Sequence, residues 1–265
     1  MALSPDIAPS QGSTPQGPTP EVTWPAQNSL TSRHIELLYV WQDERFPQGE
    51  PLARQGTQFK SELGEVGELV FGLTQEDLAS LTSDQRDRIG DEISDVIIAG
   101  VGKLKVLGHS YEELRRRREK AIYDSSKVSE FERWQIDANG NETPLHLRLR
   151  QLSKQSLRNQ KAYDLLGTED VSALSERQKL KLSEKITDTM TLGFSVLNGM
   201  GESFDYHFRR KFKKMNEKYP VWLFDKLREE GLSDMEIPDK AKEIYEGQDP
   251  GEIILYNASF VQETG

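Results

Sequence analysis

The chain has 265 residues, and its 34 Lys and Arg against 44 Asp and Glu give a net charge of -10 at pH 7. This acidic balance argues against broad binding to nucleic acids or to anionic membranes. The absence of cysteine excludes disulfides, a thiol nucleophile and cysteine-ligated zinc. No apolar run approaches the roughly 20 residues of a membrane span, and the N-terminus lacks the pattern of a secretory signal. We therefore expect a cytoplasmic protein.

Taken in order, the chain begins with residues 1–30, which are rich in Pro, Ser, Thr and Gln and predict a disordered leader. Helical periodicity follows, interrupted by turn residues such as those of "FPQGEP". Four helices are predicted in the first half of the chain. The first begins near Ser32, the second spans about 52–73, the third spans about 83–107, and the fourth begins after Ser110. Ser32 is the expected N-cap of the first helix. Ser110, with a glutamate three residues on, has the pattern of a capping box.

Two acidic pairs stand out in the predicted helices. Glu65 and Glu68 lie three apart in "SELGEVGEL", and Glu92 and Asp95 have the same spacing in "DEISDVIIAG". This spacing places both carboxylates of a pair on one face of a helix. Asp95 lies in an apolar run that predicts burial, and an unpaired buried carboxylate costs several kcal/mol. Two facing helices of this kind predict a site for Mg²⁺, with Mn²⁺ as an alternative, and hence phosphate chemistry.

The chain also contains an internal repeat with an offset of 93 residues. Identical residues at this offset include Glu76 and Glu169, Leu81 and Leu174, Gln85 and Gln178, Asp95 and Asp188, Gly100 and Gly193, and Gly108 and Gly201. Such a match over about 45 residues predicts two copies of one helical unit. Lys185 stands at the position of Glu92, and Asp188 is the one acid of the four that survives in the second copy. We therefore expect the first unit to keep a metal site that the second has lost.

"EVGEL" followed by "DEISDVI", a Gly-terminated helix and a basic helix resembles the MazG-like all-α nucleoside triphosphate pyrophosphohydrolases. Their signature is ExxE followed by ExxD, and residues 33–127 carry the resemblance more strongly than 147–220. The chain departs from the family by Gly64 where a second Glu is usual, although Glu62 lies one turn earlier, and by Ser94 where Gly is common. Family members pack as dimers around a four-helix core. The resemblance implies an all-α fold in which two tandem units form an intramolecular pseudo-dimer with a four-helix-bundle core.

The predicted domains follow from the repeat and the resemblance. They are a leader at 1–30, a MazG-like unit with the intact acidic motif at 31–128, a linker at 129–146, a degenerate second unit at 147–220 and a C-terminal extension at 221–265. The sequence leaves open the role of the extension and whether the chain forms further homo-oligomers.

The implied reaction cleaves a (deoxy)nucleoside triphosphate into a monophosphate and pyrophosphate. Four carboxylates are the predicted ligands of the cation: Glu65, Glu68, Glu92 and Asp95. The cation would neutralise the phosphates and activate water. Glu62 or Glu65 would orient that water or accept its proton. Lys120, with Arg116 or Arg117, would neutralise charge on the departing pyrophosphate.

The predicted substrate contacts come from both units and are Trp41, Arg116, Arg117, Lys120, Tyr123, Lys213 and Asn216. The resemblance implies Lys and Asn contacts in the last helix of a unit, where the second copy reads "RRKFKKMNEKYP". Trp41 fits either a stacking platform for the base or a core position. Asn216 fits a substrate contact or a surface position equally well. We hypothesise a composite site with metal ligands from the first unit and substrate contacts partly from the second.

Other interpretations of the same residues stay open. The acidic helices would also fit a solvated face, Asp95 a structural pair with a lysine, and the arginines at 115–118 a solvated basic face. At the level of function, the alternatives are a narrower hydrolase acting on dUTP or phosphoribosyl-ATP, and a non-enzymatic helical regulator that binds a nucleotide or a partner.

Overall fold

The computed structural model describes residues 29–49, 52–117, 144–158 and 173–247, without the side chains of 52–57 and 156–158. These residues form helices and no strands, which confirms the all-α prediction. In chain order the helices are α1 (Ser32–Arg45), α2 (Leu52–Val70), α3 (Gln75–Ala79), α4 (Ser83–Val106), α5 (described over 111–117), α6 (Leu145–Arg158), α7 (Glu176–Met200), α8 (Phe204–Lys218), α9 (Val221–Glu229) and α10 (Ile237–Gly247).

Capping residues at matching positions begin and end the two long helices, α4 and α7. The side chain of Thr82 caps α4 and that of Ser175 caps α7, each by accepting a hydrogen bond from the backbone N–H of a glutamine three residues on. The glutamine side chain accepts in return from the cap backbone, so both helices start with a capping box. Gly108 and Gly201 follow the helices with φ of 76° and 73°, where a side chain would be strained. These positions are related by the 93-residue offset.

The first helix begins at Ser32 as predicted, but its predicted cap and the predicted end of the second helix were wrong. The N-cap of α1 is Thr31 and not Ser32, because Thr31 has extended backbone and its hydroxyl accepts from the backbone N–H of His34. The His34 ring accepts in turn from the Thr31 N–H at 3.2 Å, so the imidazole takes the place of the usual glutamate. Helix α2 ends at Val70, earlier than predicted, and Gly72 with a φ of 82° lies in the turn that follows.

Helix packing brings the two halves of the chain together. Helix α2 packs against α4 and α6, and α7 packs against the same two helices. Helix α8 lies on α4, and α1 contacts both α4 and α9. Helices α9 and α10 pack on each other around a small second core that includes Phe46 and Phe224. Among the described residues, no helix combines the length and the apolar character needed to span a membrane.

Two glycines allow α4 and α7 to approach closely. A Cβ on Gly100 of α4 would lie 2.7 Å from Met190 Sδ of α7. A Cβ on Gly193 of α7 would lie 3.4 Å from Ile97 Cδ1 of α4. The contacts are reciprocal, because Gly193 is the repeat equivalent of Gly100 and Met190 that of Ile97. A side chain at Gly100 would require Met190 to move, and one at Gly193 would require a smaller shift of the isoleucines that face it.

Candidate metal centre

The apolar face of α2 determines where its acidic residues lie. Phe59, Leu63 and Val66 follow helical spacing, and all three are fully buried in the main core. Glu62 and Glu65 occupy the flank of this buried stripe, where α2 packs against α4. Glu62 is half-buried and Glu65 is exposed. Packing of α2 on α4 therefore carries these two carboxylates to the edge of the interface.

Three carboxylates meet at this edge. Glu62 and Glu65 of α2 and Glu92 of α4 each have an oxygen within 4.8 Å of the others. The group differs from the predicted ligand set, because Glu62 takes part whereas Glu68 and Asp95 do not. Glu68 is exposed one turn further along α2, and Asp95 has a basic partner. We call Glu62, Glu65 and Glu92 the acidic centre.

Burial and like charges make two carboxylates of the acidic centre, Glu62 and Glu92, hold a proton more tightly. Burial, together with the charges of Asp95, Glu65 and Glu92, raises the pKa of Glu62 from its ordinary 4.5 to about 8. Burial likewise raises the pKa of Glu92, although the ammonium of Lys211 opposes this. At neutral pH without a cation, Glu62 is therefore mostly protonated. Positive charge placed between these carboxylates would favour their ionised forms.

Asp95 forms an ion pair with Lys211 of α8. The Asp95 side chain is 20% exposed and that of Lys211 18%. Burial raises the pKa of Asp95 to about 6 even though Lys211 lowers it. For Lys211, burial disfavours the ammonium, yet the nearby Asp95, Glu92 and Asp91 raise its pKa overall. Asp95 thus forms the structural pair with a lysine that the sequence analysis left open as an alternative to metal binding.

More charged groups extend this contact along the α4–α8 interface. Arg210 Nη1 donates to Asp87 at 2.8 Å, and its Nη2 pairs with Asp91. The fully buried ring of His207 has Nδ1 2.9 Å from Asp91 Oδ1 and Nε2 3.2 Å from Glu202 Oε2. Asp87, Glu202 and His207 form a second group with metal-ligand spacing. The guanidinium of Arg210 already supplies positive charge there.

Sequence reasoning missed these interface residues, although a signal was present. Asp87 and Asp91 precede Asp95 at intervals of four, which places all three on one face of α4. His207 and Lys211 are also four apart on α8. Matching the two stripes would have suggested that the second unit's last helix neutralises the first unit's acidic helix. We call these two stripes, together with Arg210 beside Lys211, the charge ladder.

The basic residues predicted to bind phosphate have local partners. Arg116 and Arg117 pair with the glutamates one turn before them, at 3.0 and 2.5 Å, and both are well exposed. Lys213 is 80% exposed, with Nζ 3.8 Å from the glutamate one turn after it. Lys120 and Tyr123 lie outside the described residues. The structure thus gives the three described side chains surface positions, and their phosphate contacts stay predictions.

Trp41 and Asn216 belong to one network around a buried arginine. The guanidinium of Arg45 lies 4.6 Å from the centre of the Trp41 ring and donates to Asn216 Oδ1 at 3.0 Å. Its Nε donates to the carbonyl of Tyr219 at 2.5 Å, and burial lowers its pKa to about 10. Asn216 Nδ2 donates to the Phe212 carbonyl at 3.0 Å. The Asn216 amide therefore ties α1 to α8, and its predicted substrate contact stays a prediction.

The acidic centre fits a hard divalent cation better than a softer metal ion. It offers three carboxylate oxygens from two helices, the donor type that Mg²⁺ and Mn²⁺ prefer. The pKa of Glu62 is raised first by burial and then by the neighbouring carboxylates, and a cation in the centre would offset both effects. No family model, curated protein or solved structure matched the chain when it was compared with each of these sets. The geometry and charge of the acidic centre are therefore the main indications of function in this chain.

Proposed function

We propose that the chain is a Mg²⁺-dependent nucleoside triphosphate pyrophosphohydrolase, which releases a nucleoside monophosphate and pyrophosphate. The observation that carries this proposal is the acidic centre, in which Glu62, Glu65 and Glu92 from two packed helices converge within 4.8 Å. The MazG-like spacing of ExxE and ExxD supports it, since two of the three residues belong to that signature. The cytoplasm is the compartment we propose for this activity.

Hydrolysis requires an activated water and neutralised phosphates. Mg²⁺, when bound, would supply charge neutralisation and would acidify water. Glu62 is the residue we propose as proton acceptor, because a cation held beside it by Glu65 and Glu92 would favour its ionised form, which can take a proton from water. The water oxygen bonds to the α-phosphorus, the bond from that phosphorus to the oxygen of the departing pyrophosphate breaks, and the water proton passes to Glu62. Lys120, with Arg116 or Arg117, remains the proposed counter-charge for the departing pyrophosphate.

We also propose that residues 31–128 and 147–220 form an intramolecular pseudo-dimer around a four-helix core. The packing of α2 and α7 on both α4 and α6 supports it, because these four helices would then be two repeat-related pairs. The reciprocal contacts of Gly100 and Gly193 also support it, since residues exchange roles in this way across a two-fold axis.

The composite-site hypothesis gains support from the position of α8. This helix belongs to the second unit and packs on α4 of the first, where Lys211 pairs with Asp95. The second unit thus places a basic side chain beside the acidic helix, although by Lys211 and not by the predicted Lys213 or Asn216. We propose that the substrate phosphates approach between α8 and the acidic centre.

The non-enzymatic alternative has one observation in its favour. Lys211 already neutralises Asp95, so part of the acidic motif is charge-balanced within the chain. A regulator that binds a nucleotide or a protein partner needs no divalent cation at Asp95. Nucleotide binding that is indifferent to Mg²⁺, with no turnover, would favour this alternative.

Pyrophosphate release from a panel of canonical and modified nucleoside triphosphates, with Mg²⁺ or with EDTA, tests the proposal. The panel should also include dUTP and phosphoribosyl-ATP, the two substrates of the narrower hydrolases named as alternatives. We expect Mg²⁺-dependent release that Glu92→Gln reduces at least about a hundredfold. Glu68→Gln is the matched control, since it removes one carboxylate from α2 outside the acidic centre, and it should retain activity. Equal activity of the two variants would contradict the proposal.

A further inference from the structure

The charge ladder ends next to the acidic centre. Along α4, Asp87 and Asp91 are held by Arg210, and Asp91 is also held by the buried His207. The last carboxylate of the stripe, Asp95, is held by Lys211. Asp95 lies three residues after Glu92, on the same face of α4, so the ladder and the acidic centre adjoin.

Lys211 is fixed in this position by the residues around it. His207 and Arg210 lie one turn before it and beside it on α8, and both are bonded to the acidic stripe of α4. The Lys211 side chain is only 18% exposed. Glu92 and Asp95 both stabilise its ammonium form. A divalent cation held by Glu92 would therefore lie about one turn of α4 from a carboxylate, Asp95, that Lys211 already neutralises.

We propose that Lys211 is a built-in cation that competes with the divalent ion for Asp95 and so sets the ion affinity of the acidic centre. The inference rests on the proposed function only in that the centre binds a divalent ion. It gives the second unit a regulatory role, since α8 belongs to that unit. Any ligand that draws the Lys211 ammonium away from Asp95, as an anionic phosphate would, strengthens ion binding.

Titration of the full chain with Mn²⁺ alone, followed by electron paramagnetic resonance of the free ion, tests this competition. Lys211→Met and Lys211→Gln remove the ammonium and should bind Mn²⁺ at least about tenfold more tightly, because like charges a few ångströms apart repel strongly. Lys211→Arg keeps the charge and should stay within about threefold of the wild type. Lys213→Met removes a charge from the same helix at an exposed position and should change the affinity less than about twofold.

The outcomes separate this inference from the proposed function. Equal or weaker Mn²⁺ affinity in both neutral Lys211 variants, with native circular dichroism, overturns the competition. If the wild type then still releases pyrophosphate, the proposed function stands alone. If Mn²⁺ binds the neutral variants but not the wild type, the competition is supported and the Mg²⁺-dependent function fails. If no variant binds Mn²⁺, both are overturned. A loss of function through misfolding cannot produce the expected gain in affinity.

Discussion

Replacing Glu62 by glutamine should change how the stability of the protein depends on pH. The pKa of Glu62 is raised from 4.5 to about 8, first by burial and then by Asp95, Glu65 and Glu92. The folded state therefore binds this proton more tightly than the unfolded chain. Its contribution to stability is fully present below about pH 4.5 and is lost as the pH rises through about 8. Glutamine has a similar shape but does not titrate.

The size of this effect follows from the pKa. A difference of one pKa unit corresponds to about 1.4 kcal/mol, so the whole displacement from 4.5 to about 8 bounds the effect at about 5 kcal/mol. The charges of Asp95 and Glu92 contribute to this shift, so part of the effect belongs to the neighbouring carboxylates. We therefore expect Glu62→Gln to gain about 2–3 kcal/mol relative to the wild type between about pH 5 and about pH 8.5.

Urea unfolding in EDTA at several pH values measures this difference directly. The free energy of unfolding of the wild type should fall with rising pH, while that of Glu62→Gln should fall less. Glu68→Gln is the control, because its carboxyl is exposed on the same helix and lies outside the acidic centre. Parallel stability curves for the wild type and Glu62→Gln would refute the crowding of carboxylates on which this reasoning depends.

Three further predictions follow from other contacts. Mg²⁺ at about pH 8 should raise the wild-type unfolding midpoint but not that of Glu92→Gln. Gly90→Ala should lower the free energy of unfolding in urea by about 2–4 kcal/mol, because the added Cβ would lie 2.3 Å from His207 Nε2. Gly64→Ala is the control: its added Cβ would have no atom within 4 Å, and the free energy of unfolding should rise by about 0.5–1 kcal/mol. Asn216→Ala should cost about 1–2 kcal/mol by the same measure, because a buried guanidinium loses its acceptor. Unchanged stability with an altered KM would instead support the substrate contact.

Local signals in the sequence predicted much of the helical structure. The signals around Thr82 and Gly108 predicted α4, and the same signals stand at Ser175 and Gly201, which delimit α7 although no bounds were predicted for that helix. Such features act within a few residues, so they can be recognised in an isolated sequence. The start of the first helix was predicted correctly, but its cap was assigned to Ser32 because Thr31 uses a histidine where the usual capping box has a glutamate.

The composition of the acidic centre was harder to predict because it depends on how helices cross. The signature spacing favoured Glu68, but the rotation of α2 about its buried stripe brings Glu62 towards Glu92 instead. The pairing of Asp95 with Lys211 joins residues 116 positions apart, so it depends on α8 lying across α4. The repeat indicated that the two units are related, but only their packing identifies which side chains meet.

The affinity of Mn²⁺ for the wild type, Glu92→Gln and Glu68→Gln at about pH 8 shows whether the acidic centre is a metal site. If the carboxylates of α2 and α4 hold a divalent ion together, the wild type and Glu68→Gln should bind one ion per chain with equal affinity, and Glu92→Gln should bind it at least about tenfold more weakly. Equal affinity in all three proteins, or no binding by any of them, would contradict the account.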